Sequence, residues 1–515
     1  MVTMRDSVRL ATYIFPARKL PAPAILIRTP NRKSELSREI IYFVNKNYNV
    51  VVQYTRGRLG SEGVDSTFFH DGWGSRRDGY DTVQWLAAQE WCSGEIGTFG
   101  RGASAFPLVL LAGAAPPALV TQFIIATPNN FYDHVVYPGG AFRQSLVENW
   151  IEQTDSSKFL NAYIEHPSYG DFWRPLNSVI QARQHNVPTT FVTGWYEAFL
   201  NGTIQAFQIA QKYGNASNNL RLIIGPWTDN QNGMGESKQG EIEYPENARM
   251  DILQDAGRWF DHWLKHEIPE VLIEPIVKYY MMGAVGDNYA FGNRWLSADN
   301  WPVESEKRRY YLKKNGELSG GEPDEIDAAE GFVYDPENPV PTFGGANMYL
   351  EAGPRDQRKL ESRRDVVVYT SPILDIPLAV AGRLRVKLYA ASTAFDTDFT
   401  AKLTDVYPDG RSMLVCDGII RARYRDSRKS PKLLKPGKVT VFDIDLGSMA
   451  LIFNPGHRLR LTISSSNSPR FEPNANSPRP FRKHFVRKKA TNTIYYGGKR
   501  ASYIELPVVP LPPEL

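Results

Sequence analysis

Two nearly unbroken apolar runs, AILI at 24–27 and NVVVQY at 49–54, flank a segment at 34–46 whose apolar residues recur at helical spacing. A strand that is apolar position after position must be covered on both faces, which happens when parallel strands are joined by crossover helices. The pattern continues downstream. Residues 79–89 (GYDTVQWLAAQ) have helical spacing, IGTF at 96–99 is a short strand running into glycines, and 106–120 (FPLVLLAGAAPPALV) is a buried helix and its exit. A second set follows, with strands at 189–193 and 220–224 and helices at 202–213 and 248–266. This alternation predicts an α/β core built on one parallel sheet.

Between the two sets, residues 129–185 are rich in Tyr, Phe and Trp and interrupt the alternation, as a helical cap over the carboxyl edge of the sheet would. After about residue 270 the texture changes to short alternating runs at 275–282, 365–369, 383–390, 399–406, 438–445 and 457–464, the pattern of a β-sandwich of jelly-roll type. Gly- and Asp-rich stretches at 314–331 and 336–345 are the expected linkers. The expected division is 1–128 and 189–270 for the two parts of the α/β domain, 129–188 for the cap and 271–515 for the sandwich. A chain of 515 residues suits about three domains.

Charge and cysteine content narrow the function. The formal net charge is +4, with no chain-wide basic field, so a nucleic-acid partner is not expected. The most apolar window, 106–120, is interrupted by Pro116 and Pro117 and is shorter than the roughly 20 residues a membrane span needs. The first residues, MVTMRDSVRLATYIF, carry charges within their only apolar stretch, so no secretory leader is expected and a cytoplasmic location is. Cys92 and Cys416 fall in different expected domains, which leaves no disulfide framework and no paired-cysteine zinc site; neither a metal nor a cofactor is expected.

Several motifs occur in one order: RTPNRK (28–33), TRGRLGSEG (55–63), DGYDTVQWLAAQEWCSGEIGTFG (78–100), YPGGAFR (137–143), GWYEAFLNGT (194–203), GPW (225–227) and YPENA (244–248). GFVYDPENPVPTFGG (331–345), GPRDQRKLESRRDVVVYTS (353–371) and NPGHRLRLTISSSNSPRF (454–471) extend the series. Together they resemble the family of cocaine esterase, X-prolyl dipeptidyl peptidase and α-amino-acid ester hydrolase. That resemblance implies an α/β-hydrolase fold with an inserted helical cap and a C-terminal jelly roll, and acyl transfer by a Ser/Asp/His triad in a pocket between the three.

At the residues that would carry this chemistry the sequence departs from the family pattern. The family's elbow has the form G-x-S-[YQ]-x-G, with the serine on a tight strand-to-helix turn. This chain reads Gly100-Arg101-Gly102-Ala103-Ser104-Ala105, so the resemblance places Gly102, which has no side-chain oxygen, where the nucleophile belongs. The family acid corresponds to Glu197, in GWYE, and the family histidine to Asp229, in GPWTDN. A carboxylate of ordinary pKa near 4 is a poor base for an alcohol at neutral pH. The oxyanion-hole tyrosine that follows RTP is Asn31 here, leaving the Ala103 amide as the other donor. Of the histidines at 70, 134, 166, 185, 262, 266, 457 and 484, only His134, in the cap, is expected to face the pocket.

The residues leave several readings open. Glu197 and Asp229 side by side would form a carboxylate dyad with one raised pKa, able to act as acid and base in cyclisation, isomerisation or elimination. Alternatively Glu197 caps a helix or pairs with an arginine and Asp229 is a turn residue. Gly102 and Ala103 can present amides to an anion or a carbonyl oxygen. Arg101 could contact an anionic ligand or form a salt bridge. Phe131, Tyr132, Trp195 and Tyr196 could line an aromatic pocket for an apolar small molecule or could be plain packing. The basic run at 479–489 reads as a solvated loop. The expected function is therefore a cofactor-free, non-hydrolytic enzyme acting on a small apolar molecule. Its rivals are a noncatalytic binder, alone, as a homo-oligomer or paired with an active relative, and a residual ester or amide hydrolase.

Overall fold

The computed structural model describes residues 1–512 apart from 34–36, 155–156, 217–218, 230–232, 288–289, 325, 327 and 484–485. Among these, nine strands form one sheet in the order Arg294–Ala298, Val277–Met281, Leu220–Thr228, Thr189–Tyr196, Leu119–Ile125, Cys92–Arg101, Ala22–Thr29, Asn49–Tyr54 and Thr12–Phe15. The strands from Val277–Met281 to Asn49–Tyr54 run parallel, and the two edge strands are antiparallel. Alternate residues serve opposite faces: Leu26, Val51, Ile124 and Leu222 enter one apolar layer, while Ile25, Ile27, Val50, Val52 and Phe123 enter the other. Helix Ile252–Lys265 covers the second face with Phe260 and Leu264, and helix Phe106–Ala112 is buried along its whole length.

The strand Val277–Met281 corrects the sequence reading, which assigned 275–282 to the sandwich sheets. It pairs parallel with Leu220–Thr228, and the hairpin partner Arg294–Ala298 completes the sheet, so the α/β layer runs to about residue 298. Met282 then brackets the chain onto the sandwich: its amide donates to the Ala450 carbonyl and its carbonyl accepts from the Ile452 amide.

The cap contains helices Gln144–Gln153 and Ser157–Glu165 with short turns on either side. The buried Arg143 ties all three layers together. Its guanidinium donates to the carbonyls of His134 in the cap, Ala198 after a sheet strand, and Ala346 in the C-terminal domain. The C-terminal domain is an antiparallel sandwich. One sheet is built around Leu378–Ser392 and Thr440–Phe453, and the other runs Val367–Thr370, Arg458–Ser464, Asp398–Val406, Ser412–Arg421. Part of the expected linker at 314–331 is instead strand: Ala329–Tyr334 pairs with Ala490–Tyr495. Among the described residues no helix is long and apolar enough to cross a membrane.

Candidate active site

The strand Cys92–Arg101 ends in a tight turn, the short 3-10 segment Gly102–Ser104, and the helix Phe106–Ala112. Gly102 stands at the turn with φ +56°, a left-handed conformation that a glycine adopts without steric cost. Gly100 is equally required, because a Cβ there would lie 2.4 Å from the Ser104 carbonyl oxygen. A Cβ on Gly102 would meet nothing within 4 Å, so the turn projects into open space.

That space is a cavity of about 720 Å³ whose wall includes Asn31, Arg101, Gly102, Ala103, Ser104 and Asp229. The opposite wall is apolar, from Phe68, Phe106, Phe131, Leu146, Trp150 and Phe199. The rings support one another: Phe68 stacks on Trp150 at 6.1 Å between centroids, and Phe131 meets Trp150 edge-on at 6.1 Å. A largely apolar chamber with a few polar groups at one end is the usual form of a small-molecule site.

Asp229 follows the strand Leu220–Thr228 and is held by Arg101. Arg101 Nη2 donates to Asp229 Oδ1 at 2.9 Å, Nε to the same oxygen at 3.3 Å, and Nη2 also to the Asp229 carbonyl at 3.3 Å. Asp229 Oδ2 is buried and accepts from no described residue. Burial holds the Asp229 carboxyl above the usual carboxylate range, with Arg101 pulling the other way.

Glu197 lies beyond the end of the strand Thr189–Tyr196 and is fully buried. Its Oε1 accepts from the Phe199 amide at 2.7 Å and its Oε2 from Thr193 Oγ1 at 3.0 Å. Burial, and after it the negative charge of Asp229, push its carboxyl up to about 8. The two carboxylates therefore sense each other, but no hydrogen bond joins them; each has its own partners. Glu197 lines a smaller cavity of about 100 Å³, with Phe199 in the wall between that space and the larger one.

His134 does not face the larger cavity, contrary to the sequence expectation. The π-turn Tyr132–Val136 folds its ring back so that Nδ1 accepts from the amides of Asn130 at 3.2 Å and Asn129 at 3.3 Å. Burial drives its pKa down to about 3, so the ring is neutral. Tyr132, Trp195 and Tyr196 are likewise placed elsewhere. Each uses its polar atom on a carbonyl, of Pro167, Tyr280 and Leu414 respectively. Trp195 and Tyr196 line the smaller cavity, and Tyr132 is cap core. No described histidine lines the larger cavity; His484 and part of the 479–489 run lie outside the described residues. The buried His457–Asp405 pair, at 2.8 Å, sits in the sandwich against Tyr407. Ser104 belongs to the cavity wall.

The sequence reading missed Phe68, Phe106, Trp150, Phe199 and Tyr349. The Tyr349 hydroxyl is pushed up to about 12 by burial and then by the charge of Asp229, which places it in the same electrostatic neighbourhood. The aromatic content of 129–185 suggested a cap, but nothing in the sequence said that Trp150, buried on helix Gln144–Gln153, would face this cavity. No group of three or more metal-ligating side chains forms among the described residues.

Two family models cover most of the chain. Residues 6–159 and 148–230 match the X-Pro dipeptidyl-peptidase (S15 family) model, and 270–505 match the X-Pro dipeptidyl-peptidase C-terminal non-catalytic domain. The chain belongs to the cocaine esterase and X-Pro dipeptidyl-peptidase family. It is 28% identical to the cocaine esterase of Rhodococcus sp. (strain MB1 Bresler), over 99% of this chain and 98% of that one. Among solved structures it is similar to an α-amino acid ester hydrolase, with a TM-score of 0.86 and 25% identity over 99% of this chain and 96% of the other. An aminopeptidase from a marine-sediment Thaumarchaeota archaeon has a TM-score of 0.88 at 24% identity, over 99% and 96% of the two chains, and supports the fold alone. The family is one of serine esterases and peptidases, and this member carries glycine at the turn and aspartate after the strand Leu220–Thr228.

Proposed function

We propose that this family member does not form an acyl-enzyme and instead moves protons on a small, largely apolar carbonyl compound, with Asp229 as the base. The observation that carries the reading is the pairing of two features of one cavity. The turn residue, Gly102, has no side chain to attack a carbonyl, while Asp229 presents a buried carboxylate oxygen with no described partner. Arg101 favours the ionised form of Asp229 and brings a positive charge to the same wall. In the proposed step Asp229 takes a proton from the carbon next to the carbonyl, the C–H electron pair becomes a C=C π bond, and the C=O π pair moves onto the oxygen to give an enolate. The guanidinium of Arg101 and the amide of Ala103 stabilise that oxygen. Return of the proton at the same or another carbon completes an isomerisation, and loss of a leaving group completes an elimination.

Glu197 acts on this base through its proton. Kept neutral, it adds no second negative charge beside Asp229. The test is exchange of the α-hydrogens of 2-tetralone in D₂O, followed by proton NMR. The natural protein is expected to accelerate exchange at least tenfold over buffer, Asp229→Asn to abolish the acceleration and Ser104→Ala to keep it. No acceleration, or acceleration that survives Asp229→Asn, overturns the proposal.

A further inference from the structure

Arg101 and Ser104 line not one cavity but two. Besides the 720 Å³ chamber on the cap side, both belong, with Lys33, to the wall of a second chamber of about 570 Å³. The second chamber lies at the carboxyl ends of the strands Ala22–Thr29, Cys92–Arg101 and Leu119–Ile125. Its floor is apolar, from Ile27, Phe99 and Ile125 of those strands and Met250, Ile252 and Leu253 at the start of helix Ile252–Lys265.

Among the described residues, the charges around that floor include three matched pairs: Lys33 with Glu39, Arg38 with Asp251 at 3.1 Å, and Arg249 with Glu236 at 3.7 Å. A rim of paired charges offers a ligand no net charge to neutralise, whereas the floor offers apolar surface. Both chambers border the Arg101 side chain, which is held by Asp229 and is 37% exposed. A ligand held at Asp229 in the first chamber can therefore reach the second by lying across the Arg101 stem, whose methylenes present apolar surface.

We propose, resting on the reading of Asp229 above, that the second chamber is a subsite for an uncharged alkyl or aryl tail, so that the substrate is a two-part molecule. A compact aryl or carbonyl head sits with Asp229, and an apolar chain passes over Arg101 onto the Ile27, Phe99 and Ile125 floor. This sets the substrate class as amphiphilic carbonyl or phenolic compounds with a chain of several carbons, beyond the head alone.

The experiment is isothermal titration of 2-naphthol and its 6-propyl and 6-hexyl derivatives into the natural protein and into Leu253→Trp and Met250→Trp. These two substitutions fill the second chamber from half-buried positions of its floor. Affinity in the natural protein should rise roughly threefold to fourfold per methylene. Either tryptophan should flatten that rise while leaving 2-naphthol itself within twofold, and Asp229→Asn should weaken all three ligands by one common factor. If 2-naphthol binds in an Asp229-dependent way but the chain adds nothing, or if the gain survives both tryptophans, the subsite is overturned and the first chamber stands. If 2-naphthol does not bind at all, the reading of the first chamber falls, and this one with it.

Discussion

Replacing Glu197 by Gln isolates the effect of one buried proton. In the native protein the Glu197 carboxyl is held near 8 by burial and by Asp229, against 4.5 for the free side chain. A folded-state pKa above the unfolded value gives a stability contribution that is complete below pH 4.5 and is lost as pH rises towards 8. Across that window the unfolded chain has released the proton and the folded chain has not. Folding then takes up one proton, and stability falls by about 1.4 kcal/mol per pH unit. From pH 5.5 to 7.5 the loss is about 2 to 3 kcal/mol. Glutamine keeps the geometry: its carbonyl accepts from the Phe199 amide, and its NH₂ faces Thr193 Oγ1, which can accept as well as donate. Urea unfolding followed by circular dichroism should therefore find the variant's stability advantage over the natural protein larger by about 2 to 3 kcal/mol at pH 7.5 than at pH 5.5. His134 and His185, depressed by burial to about 3 and 4, contribute the opposite slope below pH 6.5, but equally in both proteins, so they cancel in the difference. Equal pH dependence in the two proteins would refute the claim that Glu197 keeps its proton.

The remaining predictions concern the cavity wall and the cap. Gly102→Ser should fold with a loss of about 1 to 3 kcal/mol, set by a left-handed φ rather than by a clash, and thermal denaturation reads it. By itself it should not react with a fluorophosphonate, because Asp229 is no substitute for imidazole. Tetralone exchange should fall as pH drops through the Asp229 pKa, with a midpoint above the ordinary carboxylate value of 3.8, since burial raises it. His134→Asn should leave exchange within threefold while lowering the melting temperature, because His134 anchors the cap backbone at Asn129 and Asn130 and does not reach the larger cavity.

What could be read from the sequence follows the range of the forces involved. The runs at 24–27 and 49–54 declare parallel strands because their composition alone requires two covered faces. The stretch 275–282 has the same strand character, but its partner, Leu220–Thr228, is remote in sequence and edge pairing leaves no local mark, so its sheet was misassigned. The strand–turn–helix at Gly102 was legible because Gly100 sits where backbone approach demands a glycine and Gly102 where the chain turns left-handed. The ion pair between Arg101 and Asp229 spans 128 positions and joins two elements whose adjacency only the folded sheet creates. The aromatic residues divide for a similar reason. Phe131 faces the cavity while Tyr132, the next residue, faces the cap core, a split set by one π-turn that no periodicity announces.

The central claim, that this serine-hydrolase fold works without an acyl-enzyme, is tested most directly by intact-mass spectrometry after exposure to an excess of a fluorophosphonate, with burst kinetics on p-nitrophenyl acetate alongside. The natural protein should gain no phosphonyl mass and show no burst, whereas Gly102→Ser combined with Asp229→His should gain one adduct on residue 102. A stoichiometric adduct on the natural protein, at Ser104 or at any other serine, with a matching burst, would contradict the account and return this chain to the hydrolases.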